Sequence, residues 1–549
     1  MQRPWSGPLA VAAITFLVLI AQLDVADDSS LLPDGPGLTL DEGFNVEVGV
    51  YLVQGTLSYG VSIIHPESLR ELFSDPDYNP DHPPLGRWLL GWSEYLGRSV
   101  FGERPGPPMY VLTYARFAPA LAFAVNVFLV GWYTAKWRTV RAGRLAALAL
   151  ALMPRAFGHA HLASLETFMG LAYSAVLLVA ADWWTPASPP RRTSVLLIGV
   201  LLGLAFLTKI QAIFLPPILL VWMVWNWRAK AVSYSVLLGL VAFAVFFLGW
   251  PWLWLDPVDH VREYFARTTE RQTLYCQYFG VRYADRDVPW PYPPVMFLIS
   301  MPLGTLLLGL TGFLIPRLDG QQTSLWTSPR WQLLGMGWIG PVVSFMLPGI
   351  ALYDGIRLFL VSLPLFAVFV GCGADLFVDW LSKRLAPRMA TCTAAGAICV
   401  PLLQIWLLSP CWLSYYSEGI GGLAGARQLG CELNYWGDAL TPELIREVCQ
   451  HLPEGTTLDV APVLHPSQLS FFMRHQTQLR LRPDIQLRGY DPSLHSDIRY
   501  VLVLRRLADP WDSLSPPPAG SKVLASTVRE GVTLAELLEL APQSALHLP

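Results

Sequence analysis

The chain has 549 residues, 53% of them hydrophobic and only 14% charged. Soluble globular domains carry about a quarter charged residues, so this composition excludes an ordinary soluble protein. The formal net charge of -3 argues against nucleic acid as a partner, which would call for a basic face.

A membrane-crossing helix needs about 20 apolar residues. The first such run, "PLAVAAITFLVLIAQL", ends at Asp24. No small-residue cleavage site follows it, so it reads as an uncleaved anchor. Further spans are expected near 109–133, 145–158, 164–183, 194–208, 210–227, 232–254, 293–316, 331–350, 358–381 and 389–410. That makes about eleven, the fifth and sixth joined tightly around "LTKIQ". With Arg3 inside, the alternate loops "KWRTVRAGR", "PPRR", "WRAK", 317–330 and "SKRLAPR" are basic, with Asp319 their only acid. The opposite loops carry nearly all other acids. Parity and charge therefore agree on a cytoplasmic N-terminus, with 24–108, 159–163, 255–292, 351–357 and everything after 411 facing outward.

The first outward loop, 24–108, holds two polar groups. "LTLDEGFN" sets Asp41 beside Glu42, and adjacent acids on a loop are most often simply solvated. "YNPDHPPLGRWLLG" reads as a helix start, because proline tolerates the first turn and the residue before it is extended. Leu85, Trp88, Leu89, Trp92 and Leu96 then follow at helical spacing, as on a helix lying in the membrane interface. On that reading Asp81 is an N-cap and Arg87 a snorkelling cation.

"PRAFGHAHLASLETF" places Arg155, His159, His161 and Glu166 at the outer end of two spans. Ionisable groups at that depth cost roughly 2.5–3.5 kcal/mol each, so they generally face a cavity and serve function. The i,i+2 spacing of the histidines does not place two ligands on one helix face, and no HExxH is present. Lys209, within "GLAFLTKIQAIFLPP", needs an anionic partner or an exit to water at a helix end. "WPWLWLDPVDHVREYF" adds Asp256, Asp259 and His260. "LYDGIRLFL" adds Tyr353, Asp354 and Arg357, whose planar fork of donors suits a phosphate.

After 411 the chain reads as a small α/β domain. "TPELIREVCQHL" is a helix with Thr441 as N-cap and Pro442 at the first position. "TLDVAPV", "RYVLVL" and "KVLASTV" read as strands and "REGV" as a turn. "GIGGLAG" lacks the βαβ frame of a dinucleotide loop, which argues against a nucleotide cofactor there. Of the seven cysteines, Cys372, Cys392 and Cys399 fall in apolar runs. Cys276, Cys411, Cys431 and Cys449 leave a disulfide open, with no pairing legible.

The order of these blocks resembles the glycosyltransferase-C superfamily: an early "DE" pair, "HPPL" with a cation, "HAHLASLE", then "GLAFLTK". The nearest branch in pattern is the bacterial relatives of protein O-mannosyltransferases and of the lipid A aminoarabinose transferase. The resemblance covers roughly 8–410. It implies a mainly α, polytopic bundle over 1–410 and an extracytoplasmic α/β domain over 411–549, set in a bacterial inner membrane. It also implies transfer of a sugar, with inversion, from a polyprenyl-phosphate donor to a protein, lipid or glycan acceptor. Membrane lipids would surround the bundle.

By the resemblance Asp41 is the base or acceptor-orienting acid, and Glu42 is its neighbour. His82 and Arg87 line the donor site, and Lys209 lies near the lipid phosphate. Arg357 is a further phosphate candidate. Glu166 stands where relatives more often show Asp, and its role is catalytic if that match holds. His159, His161, His260 and Asp354 remain for sugar or acceptor contacts. Some superfamily members use a divalent metal and others do not, and the sequence leaves a metal open. A rival class is a transporter or flippase of a lipid-linked glycan. The sequence shows no internal repeat, and its polar groups gather at one face rather than at the midplane.

Overall fold

The computed structural model describes residues 3–24, 34–75, 78–102, 110–184, 190–269, 272–315, 317–318, 321–322 and 328–541. Each apolar run carries helix. Five helices among the described residues are long and apolar enough to cross a membrane: Leu112–Trp137, Ile210–Trp227, Lys230–Leu248, Arg357–Leu381 and Pro387–Leu408. The chain is thus a multi-pass membrane protein. Ser6–Ile20 and Arg192–Phe206 are shorter apolar helices.

Two expected spans are not simple rods. The run at 293–316 is a pair, Tyr292–Ile299 and Leu303–Leu314, bent by 118°. Pro302 at the junction cannot continue the first helix. The run at 145–158 ends its helix at Ala151, and Pro154 opens a separate short helix, Pro154–His159. Prolines begin several helices, as at Pro66, Pro329 and Pro387, and at Pro84, where the sequence reads as a helix start. Their missing N–H is one the first turn leaves unpaired anyway.

Helix Leu363–Leu381, preceded by the 3-10 turn Arg357–Ser362, is the centre of the bundle. Of the apolar window in Arg357–Leu381, 89% is buried, against 17% in Lys230–Leu248 and 22% in Pro387–Leu408, whose sides are free to face lipid. Polar groups mark its two ends. Arg357 stands before it. Near its far end buried Asp375 accepts from Arg138 Nε (2.8 Å), Thr139 Oγ1 (2.9 Å) and Arg141 Nε (2.7 Å). The basic loop "KWRTVRAGR" is thereby locked at the end of the bundle opposite Arg357.

The segment after Asp24 is largely helical: Leu40–Tyr59, Pro66–Phe73 and Pro84–Phe101. Leu40–Tyr59 and Pro84–Phe101 cross with their backbones touching. A Cβ on Gly91 would lie 2.1 Å from the Gly49 carbonyl oxygen, so only glycine permits this approach. Helix Pro84–Phe101 buries Gly86, Arg87, Leu90, Gly91 and Gly97, while Leu89 and Leu96 stand exposed. Of the apolar stripe read from the sequence, Leu89 and Leu96 are thus free, while Leu85 and Trp88 pack against a small buried cluster around Tyr78 and Trp252.

Beyond Leu408 the chain forms a five-stranded mixed sheet with flanking helices. The strand order is Gln486–Gly489, Thr457–Ala461, Tyr500–Leu504, Val532–Glu539, Lys522–Arg529. The first three are parallel and the last two antiparallel to their neighbours. The helix Pro442–His451 starts where expected, with Thr441 Oγ1 accepting from Leu444 N (3.2 Å). Glu530 and Gly531, both at positive φ, make the hairpin turn. All seven cysteines are free.

Candidate functional site

Four separate breaks in the helices meet at one end of the bundle. The first is the start of Leu40–Tyr59. Asp41 and Glu42 lie in its first turn rather than on a loop, where a helix N-terminus favours acids. Glu42 and Thr39 form a capping box: Thr39 N donates to Glu42 Oε2 (3.0 Å). The second is the start of Glu166–Trp183, which carries Glu166 in its first turn. The third is the extended Lys209 between Arg192–Phe206 and the 3-10 turn Ile210–Phe214. The fourth is the turn Asp354–Gly355, both residues at positive φ, ahead of Arg357. Asp tolerates the left-handed region better than most residues. At Gly355 a Cβ would fall 2.5 Å from Arg155 Nη1.

Arg357 joins these breaks. Its Nε donates to Glu166 Oε1 (2.9 Å), its Nη1 to Asp354 Oδ2 (2.7 Å) and its Nη2 to Asp41 Oδ2. Lys209 Nζ donates to the same Glu166 oxygen at 2.5 Å. Lys209 is therefore a buried, paired lysine and not a snorkelling one. Asp41, Glu166, Lys209, Asp354 and Arg357, spread over more than 300 residues, form one charged cluster. Asp41 is its open member, with 34% of its side chain exposed against 4% for Glu166 and Asp354.

"DHPPLGR" is the neighbouring wall. Leu85 N donates to the Leu207 carbonyl (3.0 Å), which places the start of Pro84–Phe101 beside the Lys209 break. His82 is half-buried there, and desolvation pushes its pKa down to about 4, so the ring is neutral at pH 7. Asp81 does not cap the helix; the N-cap is Pro83, and Asp81 accepts from Arg87 Nη2. Arg87 is buried, not snorkelling. It also donates to the Asn79 carbonyl (2.5 Å) and to Asn45 Oδ1 (3.2 Å). Asn45 in turn donates to the Asp41 carbonyl (2.9 Å). Arg87 thus holds the turn that carries Asp41, with its donors committed to protein.

Glu42 points away from this cluster. Its carboxylate receives Arg116 Nε (2.7 Å) and Nη2 (2.8 Å) and Ala163 N (2.7 Å), all buried. The sequence reading missed Arg116. It interrupts the apolar run "YVLTYARFAPALAF", the same signal that drew attention to Lys209.

The remaining histidines are in other surroundings. His159 Nε2 bonds the Tyr435 hydroxyl (3.1 Å), and its ring meets Trp436 edge-on. His161 stacks on Trp412 with Nδ1 on the Phe157 carbonyl (2.8 Å). His260 lies flat on Trp252 with Nδ1 on that residue's carbonyl (2.7 Å). Only His159 borders the cluster, through Trp436, whose ring centroid is 3.8 Å from Arg357 Cζ. Among the described residues no group of three or more His, Cys, Asp or Glu side chains converges as a metal site would require.

Apolar grooves flank helix Leu215–Trp227. One of about 540 Å³ has Ile210, the residue after Lys209, in its wall together with Ile213, Pro216, Leu220, Phe246 and Tyr264. Another of about 610 Å³ lies between this helix and Pro329–Ser344.

Residues 81–252 match the family described as dolichyl-phosphate-mannose-protein mannosyltransferase. The matched stretch runs from "DHPPLGR" through Glu166 and Lys209 to the span beyond. The structure is similar over 97% of both chains to the apo crystal structure of ArnT from Cupriavidus metallidurans, with a TM-score of 0.51 at 16% identity. The fold is of glycosyltransferase-C type. Curated relatives from Pseudomonas paraeruginosa and Pseudomonas aeruginosa are each 28% identical over 239 residues, 41% of this chain and 39% of their own. Both carry the name undecaprenyl phosphate-alpha-4-amino-4-deoxy-L-arabinose arabinosyl transferase. The chain thus spans about two fifths of the length of the curated relatives it matches.

Proposed function

We propose that this glycosyltransferase-C protein transfers a sugar from a polyprenyl-phosphate donor to an acceptor at the outer face of the membrane. The observation that carries the proposal is the pairing of Arg357 and Lys209 on Glu166, with Asp41 open beside them and an apolar groove lined by Ile210, the residue after Lys209. A single-chain lipid fits such a groove, and its phosphate would lie where the two cations meet. The names of the curated relatives support a donor of that class.

The mechanism follows from charge. Three carboxylates (Asp41, Glu166, Asp354) already occupy the donors of Arg357, and Glu166 also holds Lys209. An arriving phosphate must displace an anion from Arg357. Glu166 and Asp354 are buried and Asp41 is not, so Asp41 yields the Nη2 edge. The freed carboxylate then accepts the proton of the acceptor nucleophile. The new bond forms at the anomeric carbon as its bond to the phosphate oxygen breaks. Negative charge grows on the leaving phosphate, where Arg357 and Lys209 stabilise it most. One displacement inverts the anomeric centre, and no carboxylate nucleophile is required. Glu166 aligns the two cations and is not the base. The neutral His82 ring borders the same space as a candidate donor contact.

The proposal is tested with the full chain in proteoliposomes supplied with a cell-envelope extract as the source of acceptors, following release of undecaprenyl phosphate from undecaprenyl-phosphate-linked pentoses and hexoses. Release by the wild type that is lost in Asp41→Asn is expected. Asp41→Asn with wild-type turnover would overturn the assignment of the base.

A further inference from the structure

The C-terminal domain reaches the charged cluster from above with two side chains. Trp436 covers the face of Arg357. Arg506, two residues beyond strand Tyr500–Leu504, is buried, and its Nη1 lies 3.3 Å from Asp354 Oδ1. The other oxygen of Asp354 takes Arg357 Nη1. A continuous path therefore runs from the sheet domain through Asp354 to Arg357.

Local structure makes that path stiff. Arg506 Nε donates to Asp509 Oδ2 (2.8 Å) and its Nη1 to the Tyr435 carbonyl. The next two amides, Leu507 N and Ala508 N, donate to Glu432 at 2.7 and 2.8 Å. The segment bearing Tyr435 and Trp436 and the loop bearing Arg506 are thus cross-linked into one unit. On the bundle side, Tyr292 accepts from Gly355 N (3.1 Å), which holds the turn that presents Asp354.

We propose that Arg506 is a positioning residue for donor binding: it shares the charge of Asp354 and so fixes Arg357 toward the donor phosphate. Without Arg506, Asp354 pulls harder on Arg357, and the phosphate must compete against a stronger anion. The inference rests on the function proposed above, because it needs a phosphate at Arg357. It assigns the C-terminal domain a part in the site rather than a place beside it.

The test uses full-length protein in nanodiscs and titrates undecaprenyl phosphate against intrinsic tryptophan fluorescence. Arg506→Met is expected to weaken binding about tenfold, and Arg506→Lys to stay within threefold of wild type. Arg505→Met serves as control. It removes a neighbouring arginine that pairs with Glu536 inside the domain, and it is expected to bind as wild type does. Adding Arg506→Met to Asp354→Asn should cost no more than a further twofold, because the effect passes through Asp354. Independent losses in the double variant, or equal losses in Arg505→Met and Arg506→Met, would reduce Arg506 to domain packing and overturn the inference. Normal binding by Arg506→Met would do the same. A wild type that does not bind undecaprenyl phosphate would instead sink the donor assignment on which the inference stands.

Discussion

The Arg357 guanidinium lies against the Asp41 carboxylate, 316 residues away in sequence, and this pair closes the charged cluster on its exposed side. A carboxylate held by a guanidinium is a poor proton acceptor, so the pair must open for transfer to proceed. On the proposed function this is a resting arrangement that a donor phosphate would unlock. Asp41→Asn should therefore separate binding from chemistry. Undecaprenyl phosphate binds at least threefold more tightly, because an anionic competitor is gone. Sugar transfer falls by roughly 10²–10⁴, the usual share of a general base. Weakened binding in that variant would rule out the exchange.

Lys209 answers to a different measurement. It is the cation one residue before Ile210 in the groove wall, and Lys209→Met should raise the dissociation constant for undecaprenyl phosphate at least tenfold. Lys209→Arg keeps the charge and should retain most of the affinity. Equal affinity in the wild type and Lys209→Met would place the phosphate elsewhere.

Glu42 is a stability residue by its contacts. Glu42→Gln leaves Arg116 buried with a weakened partner, and breaking a buried pair of this kind costs about 3–5 kcal/mol. A clear drop in melting temperature in detergent is expected, larger than for Asp41→Asn, whose Arg357 partner keeps two other carboxylates. A Glu42→Gln variant that melts with the wild type yet transfers no sugar would return Glu42 to the chemistry.

The C-terminal domain carries a pH signature. Burial pushes Asp438 up to about 7 and Glu432 up to about 8. An acid raised on folding holds its proton more tightly in the folded state. Its contribution is complete below the unfolded value of about 4 and is lost as pH rises through 7 to 8. His475, lowered by burial to about 3, acts in the opposite sense: its contribution is present above about 6.5 and is lost on acidification. Asp438→Asn removes one alkaline arm. Its melting temperature should fall less between pH 5 and pH 8 than that of the wild type. Identical slopes over that range would show that Asp438 does not titrate there.

The helices were legible because apolar runs of membrane length announce themselves one segment at a time. The strand and helix signals of the tail were equally local, and Thr441, Pro442 and "RYVLVL" stand where expected. Two strands, Gln486–Gly489 and Val532–Glu539, were missed: one is an edge strand with little apolar pattern, and the other, "VTLAELLE", has the composition of a helix. Sheet pairing overrode that propensity. The bend at 292–314 escaped notice because hydropathy measures length and not direction.

Within the site, local sequence marks the anomalous polar residues: Asp41, Glu166, Lys209, Asp354 and Arg357 each interrupt apolar or tightly turned sequence, and burying a charge is too costly to be casual. How they pair depends on the folded chain. It turned Glu42 toward Arg116, committed Arg87 to Asp81 and Asn45, and sent His161 and His260 onto tryptophans. It also brought in Trp436 and Arg506, which sit in water-soluble sequence where a tryptophan or an arginine is unremarkable. The physical reason is range. Hydrophobic periodicity and helix capping act within a few residues, whereas an ion pair depends on a separation of a few ångströms that no local pattern encodes. The chain could state that buried charges needed partners, and folding chose them.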